Sequence, residues 1–312
     1  MLAARSIPLS AYELRDAVRH NQGFDASRLD RILRPEDRGL IEVQAGTHWR
    51  AIANLLRPGD GESEAASMRA TMRTIGESIA RNAAGPDGRP VVNHIESLTV
   101  VTPDGELRRI NRLAQSALFS LVVGGQGLFG ALYSATLRVG SLLRSADETI
   151  RSTPVAPGAP DGRPLQLLLR SQAVAGFIAD ARARCAEWRV DIASVEARPI
   201  EPEAESFLCW ARSECVEVTL RLAEATALGP AVRRTQLRRE LIDASIAAGG
   251  SFQISSTLDA TREQVAACYP QLPAFLAEKR RIDPAEKLVN GWYLHHRNLF
   301  GRERCETRWN QV

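Results

Sequence analysis

Residues 94–139 read HIESLTVVTPDGELRRINRLAQSALFSLVVGGQGLFGALYSATLRV, and the order of elements in this stretch decides the fold. Its first part alternates apolar and polar residues, turns at Pro103-Asp104-Gly105 and alternates again, which predicts a hairpin over 94–110. SALFSLVVGG (116–125) predicts a short helix ending on glycines, and ALYSATLRV (131–139) predicts a further strand. Between them lies Gly125-Gln126-Gly127-Leu128-Phe129-Gly130, a literal GxGxxG. A dinucleotide fingerprint requires a strand before its glycines and a helix after them, so that phosphate meets the helix N-terminus. Here a helix comes first and a strand follows. The nicotinamide reading fails on that order.

Working outward toward the N-terminus, LIEVQAG (40–46) alternates as a strand, and a turn is expected over 35–39 before it. THWRAIANLLRP (47–58) opens on Thr47 and sets Trp49, Ile52, Leu55 and Leu56 along one helical face. SAYELRDAVRH (10–20) carries Ser10 and Glu13 at the spacing of a capping box. TIGESIARNAAG (74–85) is rich in small residues, at Gly76, Ser78, Ala80, Ala83 and Ala84. Two readings fit it: exposed amides forming an anion nest, or a tight turn into a closely packed helix.

Toward the C-terminus, PVAPGAPDGRP (154–164) is a Pro/Gly-rich shift in composition that marks a domain boundary. Beyond it the pattern predicts a strand over 165–170, a helix over 171–185 and strands over 190–200 and 215–225. A long helix over 231–250 stops at Gly249-Gly250. SFQISST (251–257) alternates again, and 261–284 is helical with an interruption near Pro270. A β-α-β-β-α-β order with helices on one face is an α+β sandwich.

The 312 residues leave room for two domains with substantial cores. A net charge of +3 and scattered arginines exclude an electrostatic nucleic-acid surface. MLAARSIPLS is too short and polar for a signal peptide, and no apolar run is long enough to span a membrane. The five cysteines show no metal-ligand spacing, and their odd number fits free thiols in a cytoplasmic protein. His295 and His296 are adjacent and point apart, so no metal site is expected there.

The segments 40–58, 74–85, 91–110 and 117–139, in that order and spacing, resemble the FAD-binding domain of the vanillyl-alcohol-oxidase family, the PCMH type. FLCWAR (207–212), GGSFQISS (249–256), ACYPQLPAFLAEKRRIDP (267–284) and WYLHHRNLF (292–300) are similar to the substrate domain and C-terminal segment of FAD-linked oxidases. The pattern is nearest to aldonolactone and decaprenylphosphoryl-ribose oxidases. The resemblance implies an α+β fold in three parts. These are an N-terminally abbreviated FAD domain over 1–145, a substrate (cap) domain with an antiparallel sheet over 146–284, and a segment over 285–312 that returns to the FAD domain.

Carried over residue by residue, the resemblance implies that Gly76, Ser78, Asn82 and Gly85 lie along the FAD pyrophosphate and ribityl chain. Gly130, Ala131 and Leu132 form the strand start whose backbone meets the flavin or adenine. Glu77 replaces a family glycine, and a carboxylate beside a pyrophosphate is repulsive unless it points away. The family's glycine-rich pyrophosphate loop and its flavin-anchoring histidine have no counterpart here, so FAD is expected to be noncovalent. His94 matches a family histidine or its neighbour, in a structural or a chemical role. On the active-site strand, Gln253 and Ser256 replace the family's tyrosine, histidine or lysine. Tyr293, His295 and His296 remain as sources of a base, or else as aromatic packing. The implied activity is oxidation of a CH–OH group on a sugar-like or other small alcohol, with the flavin doing the redox chemistry. The alternative is an impaired oxidase scaffold acting as a binding or interaction subunit, beside a partner subunit. No nucleic-acid or membrane partner is expected.

Overall fold

The computed structural model describes residues 9–56, 74–85, 88–142, 164–223 and 228–301. The Pro/Gly-rich boundary at 154–164, apart from Pro164, and the end of the helix predicted over 47–58 lie outside the described residues. The chain divides into two compact units: Met1–Pro157 with Glu201–Cys209 and Lys279–Leu288, and Gly158–Ile200 with Trp210–Glu278 and Val289–Val312.

In the first unit, α1 (Ala11–Arg19) starts at the expected capping box, Ser10 accepting from the Glu13 amide while Glu13 reaches back to the Ser10 N–H. It is followed by β1 (Ile32–Asp37), β2 (Leu40–Gln44), α2 (Trp49–Leu56) and α3 (Ile75–Arg81). Then come the hairpin β3 (Ile95–Val101) and β4 (Leu107–Ile110), α4 (Ser116–Val122) and β5 (Ala131–Arg138). The five strands form an antiparallel sheet in the order β1-β2-β5-β3-β4. Ile41 faces Leu137 and Leu98 faces Ala135 across it, all four fully buried, so the period-two pattern read along each strand becomes one shared apolar face.

β1 differs from expectation, since the turn expected over 35–39 begins three residues later. The strand runs through Pro35 to Asp37, and Arg38 and Gly39 alone make the reversal, with φ of 51° and 76°. Two positive φ angles suit the twist of a tight hairpin. Pro35 is tolerated because β1 is an edge strand, where a missing N–H has no ladder partner to lose.

In the second unit, β6 (Leu165–Leu169), β7 (Ile192–Ile200), β8 (Cys215–Leu222) and β9 (Ser251–Phe252) form an antiparallel sheet in the order β7-β8-β6-β9. Its helices are α5 (Val174–Trp188), α6 (Leu228–Ala247), α7 (Arg262–Cys268), α8 (Leu272–Ile282) and α9 (Gly291–Phe300), α8 ending within the first unit. α6 packs on α5, β6 and β9. Leu165, Leu167, Val218, Leu220 and Phe252 are buried residues of one sheet face, as the pairings Leu165↔Leu220, Leu167↔Val218 and Leu167↔Phe252 require.

The strand expected over 251–257 shrinks to two residues. From Gln253 the chain turns, with the Ser256 N–H and Oγ both donating to the Gln253 carbonyl at 2.9 and 2.7 Å. The Gln253 side chain accepts from the Ser255 amide at 3.2 Å. Local polar side chains offered the backbone a turn, and the turn displaced the ladder.

A buried ion pair holds the last segment of the first unit. Lys279 Nζ donates to Asp283 and to the Leu128 carbonyl at 2.8 Å, and Asp283 accepts from the Lys287 and Leu288 amides at 3.0 and 2.9 Å. Burial pushes the Lys279 ammonium down. For Asp283 burial acts upward but is outweighed by its N–H donors and Lys279, so its carboxyl sits below the usual range. Lys279→Met strands the Asp283 charge and is expected to cost about 3–5 kcal/mol. Adding Asp283→Leu should restore only part of this, because two backbone N–H groups then lose their acceptor. Urea denaturation midpoints of the two variants measure the difference.

Candidate functional site

α3 is the element that the sequence singles out, and its helical start explains the small-residue segment. Thr74 caps it and accepts from the Glu77 amide at 3.2 Å. The other orphan amides are also engaged: Ile75 N–H donates to Thr47 O at 2.9 Å, Gly76 to Ala45 O at 2.7 Å and Thr74 to the Glu77 carboxylate at 3.4 Å. A helix leaves four such donors unpaired at its N-terminus. Here protein oxygens take all four. Of the two readings of 74–85, the structure has the closely packed helix, and this donor set does not fit a diphosphate. Glu77 resolves its own conflict, since its carboxylate turns back to the Thr74 N–H at 3.4 Å as half of a capping box.

Each small or polar residue of the segment has a defined place. A Cβ on Gly76 would stand 3.0 Å from Ala45 O, so glycine permits α3 to approach the end of β2. Ser78 Oγ accepts from the Trp49 indole at 2.9 Å, which ties α3 to α2. Asn82 ends the helix in the left-handed conformation, with φ 47°. Fully buried, its Oδ1 accepts from the Val92 amide at 3.1 Å and its Nδ2 donates to Ser206 Oγ at 3.4 Å. Ser206 is held in turn by Glu203, whose carboxylate also accepts the Ser206 amide at 3.0 Å. The Gly85 N–H donates to Arg89 O at 2.8 Å.

The GxGxxG segment is a cap on the other end of α3. Gly124 N–H donates to Ile79 O at 2.9 Å and Gln126 N–H to Ala80 O at 2.8 Å, satisfying carbonyls at the C-terminal turn. Gly124, Gln126 and Gly127 all have positive φ, and a Cβ on Gly125 would fall 1.8 Å from Leu121 O. The glycines are therefore required by backbone geometry. Gly130, Ala131 and Leu132 follow directly. A Cβ on Gly130 would lie 3.1 Å from the Val100 Cβ, and Ala131 and Leu132 pair with Val101 and Val100. Ala131 is buried in a cluster with Leu9, Leu14 and Val18, against which Leu132 packs, so α1 lies over the start of β5. His94 is buried, with Nδ1 2.5 Å from Ser141 Oγ.

The residues expected to do chemistry all lie in the second unit. Gln253 and Ser256 sit on the turn after β9, both buried. Tyr293 and His296 lie on α9, which begins at Asn290, whose side chain accepts from the Tyr293 amide at 2.9 Å. Trp292 on α9 ties the helix to this turn, its Nε1 donating to Ile254 O at 3.2 Å, and the Tyr269 hydroxyl holds the turn itself, accepting from Ile254 N–H at 3.2 Å while donating to Phe252 O. Neither clamp was read from the sequence, because tryptophan and tyrosine pattern as ordinary core residues there. The Ser256 hydroxyl is engaged with the Gln253 carbonyl, so it is placed to shape the turn.

His296 is the chemically distinctive group. Its ring lies 4.2 Å from that of Trp292 and 5.0 Å from that of His295, and its Nδ1–H donates to Trp292 O at 2.8 Å. Burial pushes its imidazole down to about 4, opposed by that hydrogen bond and aided by His295. At neutral pH it is uncharged, with Nδ1 committed and Nε2 left as the lone-pair nitrogen. Burial also lowers His295, with Asp259 acting the other way. Among the described residues no cluster of ligands suits a metal ion, and no helix is long and apolar enough to cross a membrane.

Residues 15–111 match the family model of an FAD binding domain, so this part of the chain carries the sequence pattern of a flavin-binding segment and FAD is its cofactor. The chain is also 39% identical over 59 residues to an uncharacterised oxidoreductase of the fasciation locus of Rhodococcoides fascians. That stretch is 19% of this chain and 13% of the relative.

The His296 environment sets a pH dependence. A folded value of about 4 against an ordinary 6.5 means that protonation favours unfolding, so its contribution is complete above pH 6.5 and is lost as pH falls through 4. The loss is on the order of 3 kcal/mol. His296→Phe should flatten the fall in thermal stability between pH 6.5 and 4. Parallel melting profiles for the two proteins would assign that fall to other groups.

Proposed function

We propose that the chain is an FAD-dependent oxidoreductase that binds its flavin noncovalently and oxidises a CH–OH group of a sugar-like or other small alcohol. The observation that carries this reading is the FAD-binding match over 15–111, which runs from within α1 through β4 of the first unit and includes α3 with its close approach to β2. The local resemblance to an oxidoreductase supports the reaction class.

On this reading Gly76, Ser78, Asn82 and Gly85 form a rigid, small-residue surface along the cofactor. Because the α3 amides are occupied by Thr47, Ala45 and Thr74, that surface contributes shape, and the diphosphate takes its donors elsewhere. Gly130, Ala131 and Leu132 are its second edge, one that α1 covers in part. The flavin supplies the hydride acceptor when bound. Tyr293 and His296 are assigned to proton handling on the substrate hydroxyl, and Gln253 and Ser256 to its orientation. Uncharged His296 has the protonation state that a proton acceptor needs at neutral pH.

The visible spectrum of the purified full-length protein tests this. Flavin bands that appear in the protein fraction and are released on denaturation are expected, without covalent retention. At roughly 100 Kd of FAD the native state should gain about 2.7 kcal/mol. A colourless protein whose melting temperature is unmoved by millimolar FAD would overturn the reading.

A further inference from the structure

We infer that the open edge of the second unit's sheet, strand β7, pairs antiparallel with β7 of a second copy of this chain, across a two-fold axis at Ala197. β7 ends the sheet order β7-β8-β6-β9, and among the described residues β8 is its one strand neighbour. The opposite end is β9, two residues long, whereas β7 runs for nine. A long edge presents a row of N–H and C=O groups on which a further strand can build. Ala193, Ala197 and Pro199 are exposed along it.

Pro199 fixes which backbone groups point outward. It stands opposite Val216 and has no N–H to give that strand. Within a sheet, proline sits where its nitrogen faces away from the ladder. The register from Ser194 to Ile200 is unbroken, and backbone direction alternates along a strand. Val195 and Ala197 therefore turn their N–H and C=O outward together with the Pro199 carbonyl, while Ser194, Glu196 and Arg198 bond to β8. The bulge between Ile192 and Ser194 and the proline bound this edge at its two ends. Both devices stop a strand from templating long ladders, and between them the window from Val195 to Pro199 stays usable.

Charge selects the occupant and the register. Centred on Ala197, self-pairing sets Glu196 opposite Arg198 of the second copy, and Arg198 opposite its Glu196, both as the closely spaced non-hydrogen-bonded kind of pair. Ala197 exchanges a reciprocal pair of hydrogen bonds with its own equivalent, and each Val195 N–H donates to a Pro199 carbonyl. Centring on Glu196 or Arg198 would bring like charges face to face. Centring on Val195 matches neither charge with its opposite, and centring on Pro199 leaves the axis without a donor. Both charged side chains have reach, Glu196 being 36% exposed and Arg198 33%. Glu196 has its internal neighbour Arg221 at 3.9 Å, so it is only loosely held. Arg198 donates to Glu217 through Nε and Nη2, and a guanidinium has several N–H groups to divide between two carboxylates. A two-fold contact is self-complementary, so this ladder closes at two copies.

Sedimentation velocity of the full-length protein, in a dilution series reaching about 100 μM, tests the pairing. A species of twice the chain mass is expected, dissociating on dilution and on addition of salt. Ala197→Pro removes an N–H that the β8 ladder does not use, so the variant should fold and associate at least about tenfold more weakly. Ala197→Arg places like charges opposite one another at the axis and should weaken association to a similar degree. Because Ala197 is exposed, this second variant keeps the test standing if Ala197→Pro fails to fold. A monomer at the highest concentration, whether its edge is open or holds a strand of another protein, sinks the inference. So does a dimer that ignores salt, or one that either folded variant forms as tightly as the parent. Flavin content does not enter these readouts, so the outcome is independent of the proposed oxidoreductase activity.

Discussion

The first unit depends on one close approach, that of the α3 N-terminal turn to the end of β2. Gly76 N–H lies 2.7 Å from Ala45 O and Ile75 N–H 2.9 Å from Thr47 O, so helix and strand share backbone hydrogen bonds. Only glycine lets the backbones come so near, since any Cβ would press on Ala45. This contact sets where Ser78 meets Trp49, where Asn82 reaches Val92, and where the glycine loop after α4 closes the far end of the same helix. A seven-residue helix is marginal in isolation. Here both ends are satisfied by tertiary partners, and those partners give it a fixed position.

The same satisfaction bears on chemistry. A helix N-terminus binds anions through unpaired amides and its dipole. When protein carbonyls and a threonine hydroxyl occupy those amides, the attraction is spent within the fold. α3 thus keeps the small-residue signature of a cofactor surface while its donors serve packing.

Much of the architecture was legible in the sequence because it rests on periodicity. The alternation in 40–46, 94–110 and 131–139 and the Ser10–Glu13 spacing gave strands and a cap that the structure contains. The failures are local. Residues 251–257 alternate like a strand, yet the Gln253 and Ser256 side chains bond to backbone atoms within three residues. The turn before β2 was placed too early because Pro35 signals a break, while an edge strand tolerates it. For the site, residue identity showed which positions are small and polar, but not that the amides of 75–78 were already engaged. Nor did it show the Trp292–Ile254 and Tyr269–Ile254 clamps, since their partners are backbone atoms, which every residue possesses.

Strand order in the first sheet has a consequence for how the chain reaches its fold. β5 is inserted between β2 and β3, pairing Gln44 with Ser134 and Leu98 with Ala135. A nascent chain that has emerged only as far as β4 therefore holds two strands whose inner edges await a third. Closing the β2–β5 ladder spans some ninety residues, which slows assembly more than it weakens the product. The stretch matched to the FAD binding domain ends at residue 111, before β5 begins. As a separate polypeptide it would expose both of those edges, an invitation to association between chains. The recognisable sequence unit is therefore shorter than the sheet to which it contributes.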